Sequence, residues 1–319
     1  MPWVDLSERN WDNRNPEYWE ALRDFVQQRV EKFSSDLEEL AKWTGPKPWI
    51  AFHFNPTPDL IQARIVRNEL QAQVWFSLGI LRWLDQVSQW LLTGEPIRAK
   101  LRLFANRGEE DYSKWVVTRW LDWVMMHEFG HFFCGHLSGR VMEWTEGKQT
   151  AAQDPALTQA MEFDADMFAA RMYFTALHGH FEKRIYQDFY RTEDVDEFFW
   201  DMGLLFGGLF FALEELNPTG KTKTHPKANE RMMAFVVSGM GAYERAAKCD
   251  VSSPWKWLLN GIFNVLWSAG AEETEFGKTM GSISNVIEPR RQLLLKVGME
   301  KRRLFKFEDD WLLKQPTVA

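Results

Sequence analysis

Apolar residues recur at three- and four-residue steps along much of the chain, which is the spacing of helices that bury one face. Over residues 111–134 the pattern includes Trp115, Trp120 and Val124, and it predicts one long helix that also carries two histidines. The same periodicity predicts further helices over residues 16–43, 155–177, 194–216, 227–248, 254–269 and 288–303. Most of the chain is therefore predicted to be helical.

Two shorter segments are rich in β-forming residues instead. Residues 49–54 lie between prolines, and residues 74–77 have the sequence Val-Trp-Phe-Ser. The predicted fold is α+β and predominantly helical, with a small antiparallel or mixed sheet beside the helix of residues 111–134. The predicted parts are an N-terminal helical segment at 1–48, a core at 49–248 and a C-terminal helical extension packed on that core at 249–319.

Composition and charge limit the class of protein. Hydrophobic residues make up 45% of the chain, including 17 Trp and 24 Phe, which is enough for a sizeable core. The most apolar stretch, residues 202–213, is shorter than the roughly 20 residues of a membrane-spanning helix and is predicted to be a buried helix. The formal net charge of -7 argues against a nucleic-acid-binding protein, since phosphate contacts require clustered Lys and Arg. The basic cluster Lys301-Arg302-Arg303 is interpreted as a solvated helix end.

Cysteine content and the N-terminal residues predict the location of the protein. Cys134 and Cys249 are too few for a disulfide framework, which agrees with a reducing compartment. The first residues show no basic start followed by an apolar run, so no secretory signal is predicted. We therefore expect a cytoplasmic protein without a transmembrane segment, and the oligomeric state is left open.

The segment His127-Glu128-Phe129-Gly130-His131 is an H-E-x-x-H motif inside a predicted helix, the context in which this motif binds zinc. Four residues advance a helix by about 400°, so His127 and His131 project from one face and can bind one ion. Glu128 is rotated by about 100° from His127, beside the ion, where it can accept a proton from the hydrolytic water. The motif predicts one zinc ion per chain; the alternative is a pair of core or surface histidines without a metal.

A catalytic zinc site needs a third protein ligand and an open position. The metzincin pattern is excluded, because Cys134 and Leu137 stand where that pattern has Gly and His. Glu162 and Asp166 share one face of a predicted helix, so Glu162 can be the third ligand while Asp166 accepts the N–H of a ligating histidine. Asp164 points about 200° away from Glu162 and is expected to be solvated.

Two further residues follow the second motif histidine. His136 lies past a glycine and about 500° around the helix from His131, so we expect a structural or supporting role rather than direct ligation. Cys134 has no C-x-x-C partner and is expected to be a small buried hydrophobe.

Three motifs occur in a fixed order along residues 70–235: H-E-x-x-H followed by His136, then Glu162-x-x-Ala165-Asp166, then Thr224-His225-Pro226 with Arg231 five residues on. This set resembles that of the HtpX-like gluzincins, which include the CAAX prenyl endopeptidases. The resemblance implies a zincin-like core with zinc as the cofactor. Those enzymes are embedded in membranes, whereas this chain has no predicted span, so prenylated or membrane substrates are not implied.

The resemblance also implies roles beyond the zinc ligands. His225 could donate a hydrogen bond to the oxyanion that forms during the reaction, and Arg231 could brace the zinc-ligand helix. A simpler interpretation of the same segment is a helix start, with Thr224 as the cap and Pro226 at the first position. The family's edge strand, which pairs with extended substrate backbone, is matched by Val74, Trp75, Phe76 and Ser77.

The sequence therefore predicts a zinc-dependent endopeptidase that hydrolyses peptide bonds of intracellular proteins, with a protein or peptide substrate as its partner. Internal cleavage is preferred because the G-x-M-E-N signature of gluzincin aminopeptidases is absent. Two alternatives stay open. One is a zinc-stabilised binding or regulatory protein without catalysis. The other is a latent protease of toxin or defence type with one narrow target, whose N- or C-terminal helices block the cleft.

Overall fold

The fold is given by a computed structural model, which describes residues 15–40, 49–57, 62–68, 71–93, 97, 100–101, 109–137, 155–182, 195–215, 226–248, 250–268 and 283–304. These residues are predominantly helical with one small mixed sheet, as predicted for an α+β fold. The strands are β1 (Trp49–Asn55), β2 (Ala63–Asn68) and β3 (Gln71–Ser77). The helices are α1 (Pro16–Leu40), α2 (Leu78–Thr93), α3 (Glu109–Phe133), α4 (Pro155–Glu182), α5 (Val195–Glu215), α6 (Ala228–Ala247), α7 (Ser252–Ser268), α8 (Ile283–Lys296) and α9 (Met299–Arg302).

The sheet has the strand order β1–β3–β2, with β3 parallel to β1 and antiparallel to β2. The two predicted strand segments form β1 and β3, whereas β2 was not predicted. The expectation of an edge strand at Val74, Trp75, Phe76 and Ser77 is wrong. These residues lie in the central strand, whose backbone groups are paired on both sides. Among the described strands, the edge that packs beside α3 is β2.

Helices α3 and α4 pack against each other at the centre of the molecule and are buried on nearly all sides. Apolar residues lie on all sides of both helices, as expected for helices that are enclosed by the rest of the fold. Gly130 allows their close approach, because a Cβ at this position would lie 2.9 Å from both the Cα and the carbonyl oxygen of Ala165. Since α3 carries the H-E-x-x-H motif and α4 carries Glu162, this contact sets the distance between the two halves of the candidate site.

The remaining helices enclose this pair. α6 packs on α4, and α5 packs on α7. Residues 202–210 of α5 are all buried, as predicted for the most apolar stretch. Within the described part of the chain, no helix has both the length and the apolar character required to cross a membrane.

The C-terminal helices differ from the prediction of one helix over residues 288–303. α8 begins at Ile283, five residues earlier than predicted, so Pro289 lies inside the helix. Gly298, with a left-handed backbone φ of 69°, separates α8 from the short α9. Both helices contribute to a small apolar cluster with α4, made of Ala160, Met161, Leu294 and Met299.

Candidate metal centre

His127 and His131, one helical turn apart on α3, direct their Nε2 atoms to the same place. These two atoms are 3.1 Å apart. Glu162 of α4 brings its carboxylate oxygens to 3.2 Å from His127 Nε2 and 3.4 Å from His131 Nε2. All three side chains are buried, and together they form a group that could hold a metal ion.

The geometry of this group fits a small divalent cation. Ligand atoms that each lie about 2.0–2.1 Å from one tetrahedral ion are roughly 3.3 Å from one another. The three observed separations, 3.1, 3.2 and 3.4 Å, agree with such a shell. Two imidazoles and one carboxylate are also a donor set of catalytic zinc sites, where a fourth position takes water or substrate.

Asp166, one helical turn after Glu162 on α4, holds the ring of His127. Its Oδ1 atom is 2.8 Å from His127 Nδ1. Arg231 of α6 donates two hydrogen bonds of 2.8 Å to the same carboxylate. Burial alone would raise the pKa of the Asp166 carboxyl, but Arg231 and His127 hold the pKa below its usual range. The ionised carboxylate therefore accepts the Nδ1–H of His127 and leaves its Nε2 for an ion.

His127 itself experiences opposing influences in the metal-free protein. Burial favours the neutral ring, whereas the carboxylates of Asp166 and Glu162 favour the imidazolium and raise the pKa of His127 to about 9. A proton therefore competes with a cation for this ring at neutral pH.

Glu128 follows His127 on α3 and is buried. Burial raises the pKa of its carboxyl to about 7, although His131 and His127 both act to lower it. The backbone N–H of Ile65 in β2 donates a hydrogen bond to this carboxyl. A pKa near neutrality suits a group that accepts a proton and later returns it, and a bound cation would lower the pKa again.

The other ring nitrogen of His131 faces a second buried cluster. His131 Nδ1 is 3.0 Å from His136 Nδ1, and His136 Nε2 is 3.0 Å from Asp164 Oδ2. The expectation that Asp164 is solvated is wrong, because α4 is enclosed on that side too and the carboxylate is 1% exposed. Arg303 supplies its counter-charge through contacts of 2.6 and 2.8 Å.

The electrostatics of the second cluster follow from its burial. Burial alone would raise the pKa of the Asp164 carboxyl, but Arg303 and His136 hold this pKa well below its usual range. Burial lowers the pKa of His136 to about 4, against the opposing influence of Asp164. The cluster therefore contains a carboxylate, a guanidinium and a neutral imidazole.

The interpretation of the basic cluster at 301–303 as solvated holds for only part of it. Lys301 and Arg302 are exposed, whereas Arg303 is buried and ion-paired. Cys134 is buried as expected, and its Sγ accepts a hydrogen bond of 3.2 Å from Arg303.

Of the other predicted site residues, one lies outside the described residues and four lie elsewhere in the sheet. His225 lies outside the described residues. Residues 74–77 lie one strand away from the sheet edge beside α3. Sequence reasoning did not find Ile65 or Arg303. Polar and apolar residues alternate over Gln62, Ala63, Arg64 and Ile65, but Val66 ends the pattern, so the signal for β2 is weak. Arg303 is 139 residues from Asp164 and gives no local signal.

Residues 101–247 match the family model described as Peptidase U49. This segment includes α3 to α6 and with them the cluster of His127, His131 and Glu162, but neither β2 nor Arg303. No curated protein and no solved structure gives a significant match. The segment that carries the candidate metal centre is thus similar to a family of peptidases, a finding that does not extend to the HtpX-like gluzincins in particular.

Proposed function

We propose that this protein is a zinc-dependent endopeptidase with a zincin-like core, similar to the gluzincins, that hydrolyses internal peptide bonds of proteins. The observation that carries this proposal is the convergence of His127, His131 and Glu162 with the carboxyl of Glu128 beside the two imidazoles. The match of the same segment to a peptidase family supports it. The cytoplasmic location remains a prediction from the sequence.

The donor set favours zinc as the ion, because two imidazoles and a carboxylate in a tetrahedral arrangement are characteristic of catalytic zinc. When bound, zinc supplies Lewis-acid chemistry, in which it polarises the scissile carbonyl and lowers the pKa of water.

The side chains of the protein accept and return the proton of the attacking water and fix the orientation of the ligands. Glu128 accepts a proton from the attacking water on a carboxylate oxygen and later delivers it to the nitrogen of the leaving amine. The hydrogen bond from the Ile65 N–H restrains the orientation of this carboxylate. Asp166 and Arg231 keep His127 in the tautomer that presents Nε2. We further propose that His225 donates a hydrogen bond to the oxyanion.

We assign the substrate-binding strand to β2 in place of residues 74–77. Because the Ile65 N–H donates to Glu128, this edge of β2 faces the candidate site and not β3. Among the described strands none pairs with this edge of β2, and an unpaired sheet edge can pair with the backbone of an extended peptide irrespective of its sequence. A substrate in that position has its backbone beside Glu128, as internal cleavage requires.

The test replaces Glu128 by Gln and measures zinc content together with cleavage of an unfolded protein, followed by mass spectrometry of the new termini. We expect zinc to be retained and the rate to fall by a factor of about 10²–10⁴, since the general base is lost while the three ligands remain. Chelation of the metal should abolish cleavage by the wild type. Full activity of the Glu128→Gln variant would falsify the proposed mechanism. A wild type that holds zinc without cleaving any protein would favour the binding alternative.

A further inference from the structure

The second buried cluster adjoins the candidate metal centre and comes from three separate parts of the chain. Cys134 and His136 follow α3, Asp164 belongs to α4, and Arg303 follows α9. All four residues are at most 5% exposed. His136 connects the cluster to His131 through the contact of 3.0 Å between their Nδ1 atoms.

Ligand atoms of Cys134, His136 and Asp164 lie within 4.8 Å of one another, so a second metal site is the first interpretation to consider. Arg303 argues against it. One guanidinium nitrogen lies 2.6 and 2.8 Å from the two oxygens of Asp164, and another lies 3.2 Å from Cys134 Sγ. The place of a cation between these groups is thus taken by a positively charged side chain of the protein.

The hydrogen bonds determine where each proton of this cluster is held. For His131 Nε2 to bind an ion, the proton of the neutral ring must be on Nδ1. That Nδ1–H then donates to His136 Nδ1, at 3.0 Å. The His136 proton must consequently be on Nε2, where it donates to Asp164 Oδ2, at 3.0 Å. In this series of hydrogen bonds, the N–H of each histidine ring therefore has one acceptor.

The reverse assignment conflicts with the geometry. If His136 donated from Nδ1, the proton of neutral His131 would be on Nε2, where it would block the binding of an ion. The unprotonated Nε2 of His136 would then face a carboxylate oxygen of Asp164 without a hydrogen bond. Asp164 accepts the Nε2–H of His136, and so holds the proton on that nitrogen, only when its carboxyl is ionised. Arg303 supplies the buried positive charge that keeps the Asp164 carboxyl ionised.

We propose that Arg303 is a positioning residue of the metal centre, acting through Asp164 and His136 to fix the tautomer and ring orientation of His131. This inference rests on the proposed metal-binding function. It gives each metal-binding imidazole its own carboxylate and arginine: Asp166 and Arg231 for His127, and Asp164 and Arg303, by way of His136, for His131.

Contacts at the end of α3 hold Arg303 in register with the site. The Leu304 N–H donates a hydrogen bond of 2.8 Å to the Phe133 carbonyl oxygen. Gly135 has a left-handed backbone φ of 81°, and a Cβ there would lie 2.5 Å from the Arg302 carbonyl oxygen. The segment after α9 therefore docks directly behind His131, so that metal affinity depends on residues outside the segment matched by the peptidase family.

The first test is metal binding by the full chain, measured as competition for Zn2+ with a chromophoric chelator and as the visible spectrum with Co2+. The test variant is Asp164→Leu with Arg303→Met, since replacing both members of a buried ion pair by apolar residues preserves a fold better than removing one. The matched control is Arg290→Met, which removes an ion pair of 2.8 Å to Glu230 that also docks the C-terminal helices; the Arg290 guanidinium lies 5.0 Å from the centre of the Phe163 ring and pairs with neither Glu162 nor Asp164.

We expect the double variant to bind Zn2+ about 10- to 100-fold more weakly and to show an altered Co2+ spectrum, while Arg290→Met matches the wild type. Wild-type affinity and spectrum in the folded double variant would overturn the role of Arg303. Equal weakening in both variants would also overturn it, since any loss of C-terminal docking would then suffice. If the wild type itself bound neither Zn2+ nor Co2+, the proposed metal-binding function would be contradicted, and not only the role of Arg303.

A second measurement needs no variant. Side-chain nitrogen NMR of the zinc-loaded wild type distinguishes the two tautomers of each neutral histidine. We expect His136 to carry its proton on Nε2 and His131 on Nδ1. A proton on His136 Nδ1 would overturn the proposal even if the double variant failed to fold.

Discussion

Arg231 shows why the carboxylates around the candidate metal centre can remain ionised although they are buried. Its guanidinium makes two hydrogen bonds of 2.8 Å to Asp166 and lies 5.1 Å from the centre of the Trp123 ring. A planar guanidinium can satisfy both oxygens of a carboxylate and stack on an aromatic ring at the same time, which a lysine ammonium cannot do. The residue type at this position is therefore set by geometry as well as by charge.

Replacing Arg231 by Met should lower the free energy of unfolding of the metal-free protein by about 3–5 kcal/mol, because Asp166 keeps a buried charge without its main partner. Urea unfolding measures this loss. Replacing Arg23 by Met is the control, since its ion pair with Asp24 has side chains that are 39% and 52% exposed and should contribute about 0–1 kcal/mol. Equal stability of the two variants would show that the Arg231 pair is not a stabilising element.

Zinc binding should release a proton at neutral pH, because the pKa of His127 in the metal-free protein is raised to about 9. Below that pH the ring must lose its proton before Nε2 can bind, so the apparent affinity should rise with pH by up to about tenfold per unit. Calorimetry in buffers with different ionisation enthalpies measures the proton release. In Asp166→Asn the carboxylate that favours the imidazolium is removed, so less proton should be released. A binding enthalpy of the wild type that is the same in all buffers would contradict this prediction.

At the scale of elements, periodicity predicted α3 to within two residues at each end, because its apolar and motif positions recur without interruption. Helical periodicity did not predict which groups surround α4, and Asp164 was wrongly expected to face solvent. A helical wheel gives the direction of Asp164 relative to Glu162, but it does not say whether solvent or protein lies in that direction. β2 was missed because only Ala63 and Ile65 of its residues are buried hydrophobics, too few to stand out from a loop.

The close contact between α3 and α4 at Gly130 should control both the stability of the fold and the affinity for a metal ion. Gly130→Ala should weaken both folding and metal affinity, because its Cβ would meet the Ala165 backbone at 2.9 Å and push the helix of the two histidines away from that of Glu162. The measurements are thermal unfolding and Zn2+ competition with a chelator.

Gly241→Ala in α6 is the matched control for that substitution. Its Cβ would come within 3.3 Å of the Arg245 guanidinium alone, which is the mobile end of a long side chain. Alanine in place of glycine inside a helix should then stabilise by about 0.5–1 kcal/mol. If Gly130→Ala behaved like Gly241→Ala, the close approach of α3 and α4 would not be what sets the site.

Over the whole molecule, the candidate site depends on residues far apart in the sequence: Ile65, His131, Asp164, Arg231 and Arg303. The motifs of the candidate metal centre could be predicted because each is encoded within five residues of a helix. Arg303 could not be predicted, since its pairing with Asp164 arises only when the C-terminal helices dock. The sequence showed a basic cluster there, and only the fold distinguishes the buried arginine from its two exposed neighbours.

The N-terminal helix bears on the alternative of a latent protease. α1 packs on β1 and α3, and it buries Leu22, Val26 and Val30 in the main core. Its Arg29 lies 2.6 and 3.1 Å from the two oxygens of Asp122, a buried residue of α3. These contacts resemble those of a core element and not those of a removable gate.

Deleting residues 1–44 should therefore destabilise the protein without activating it, because the apolar face of α1 and the Arg29 counter-charge of Asp122 are lost together, and only Arg119 then remains beside that carboxylate. Thermal unfolding together with kcat/KM on an unfolded protein substrate tests this. Arg29→Met serves as the milder variant, since it removes only the ion pair with Asp122 and leaves the apolar face of α1 in the core, and it should lower the melting temperature less than the deletion does. A deletion variant that stays folded and cleaves faster than the full chain would establish latency, with α1 as the element that blocks the cleft.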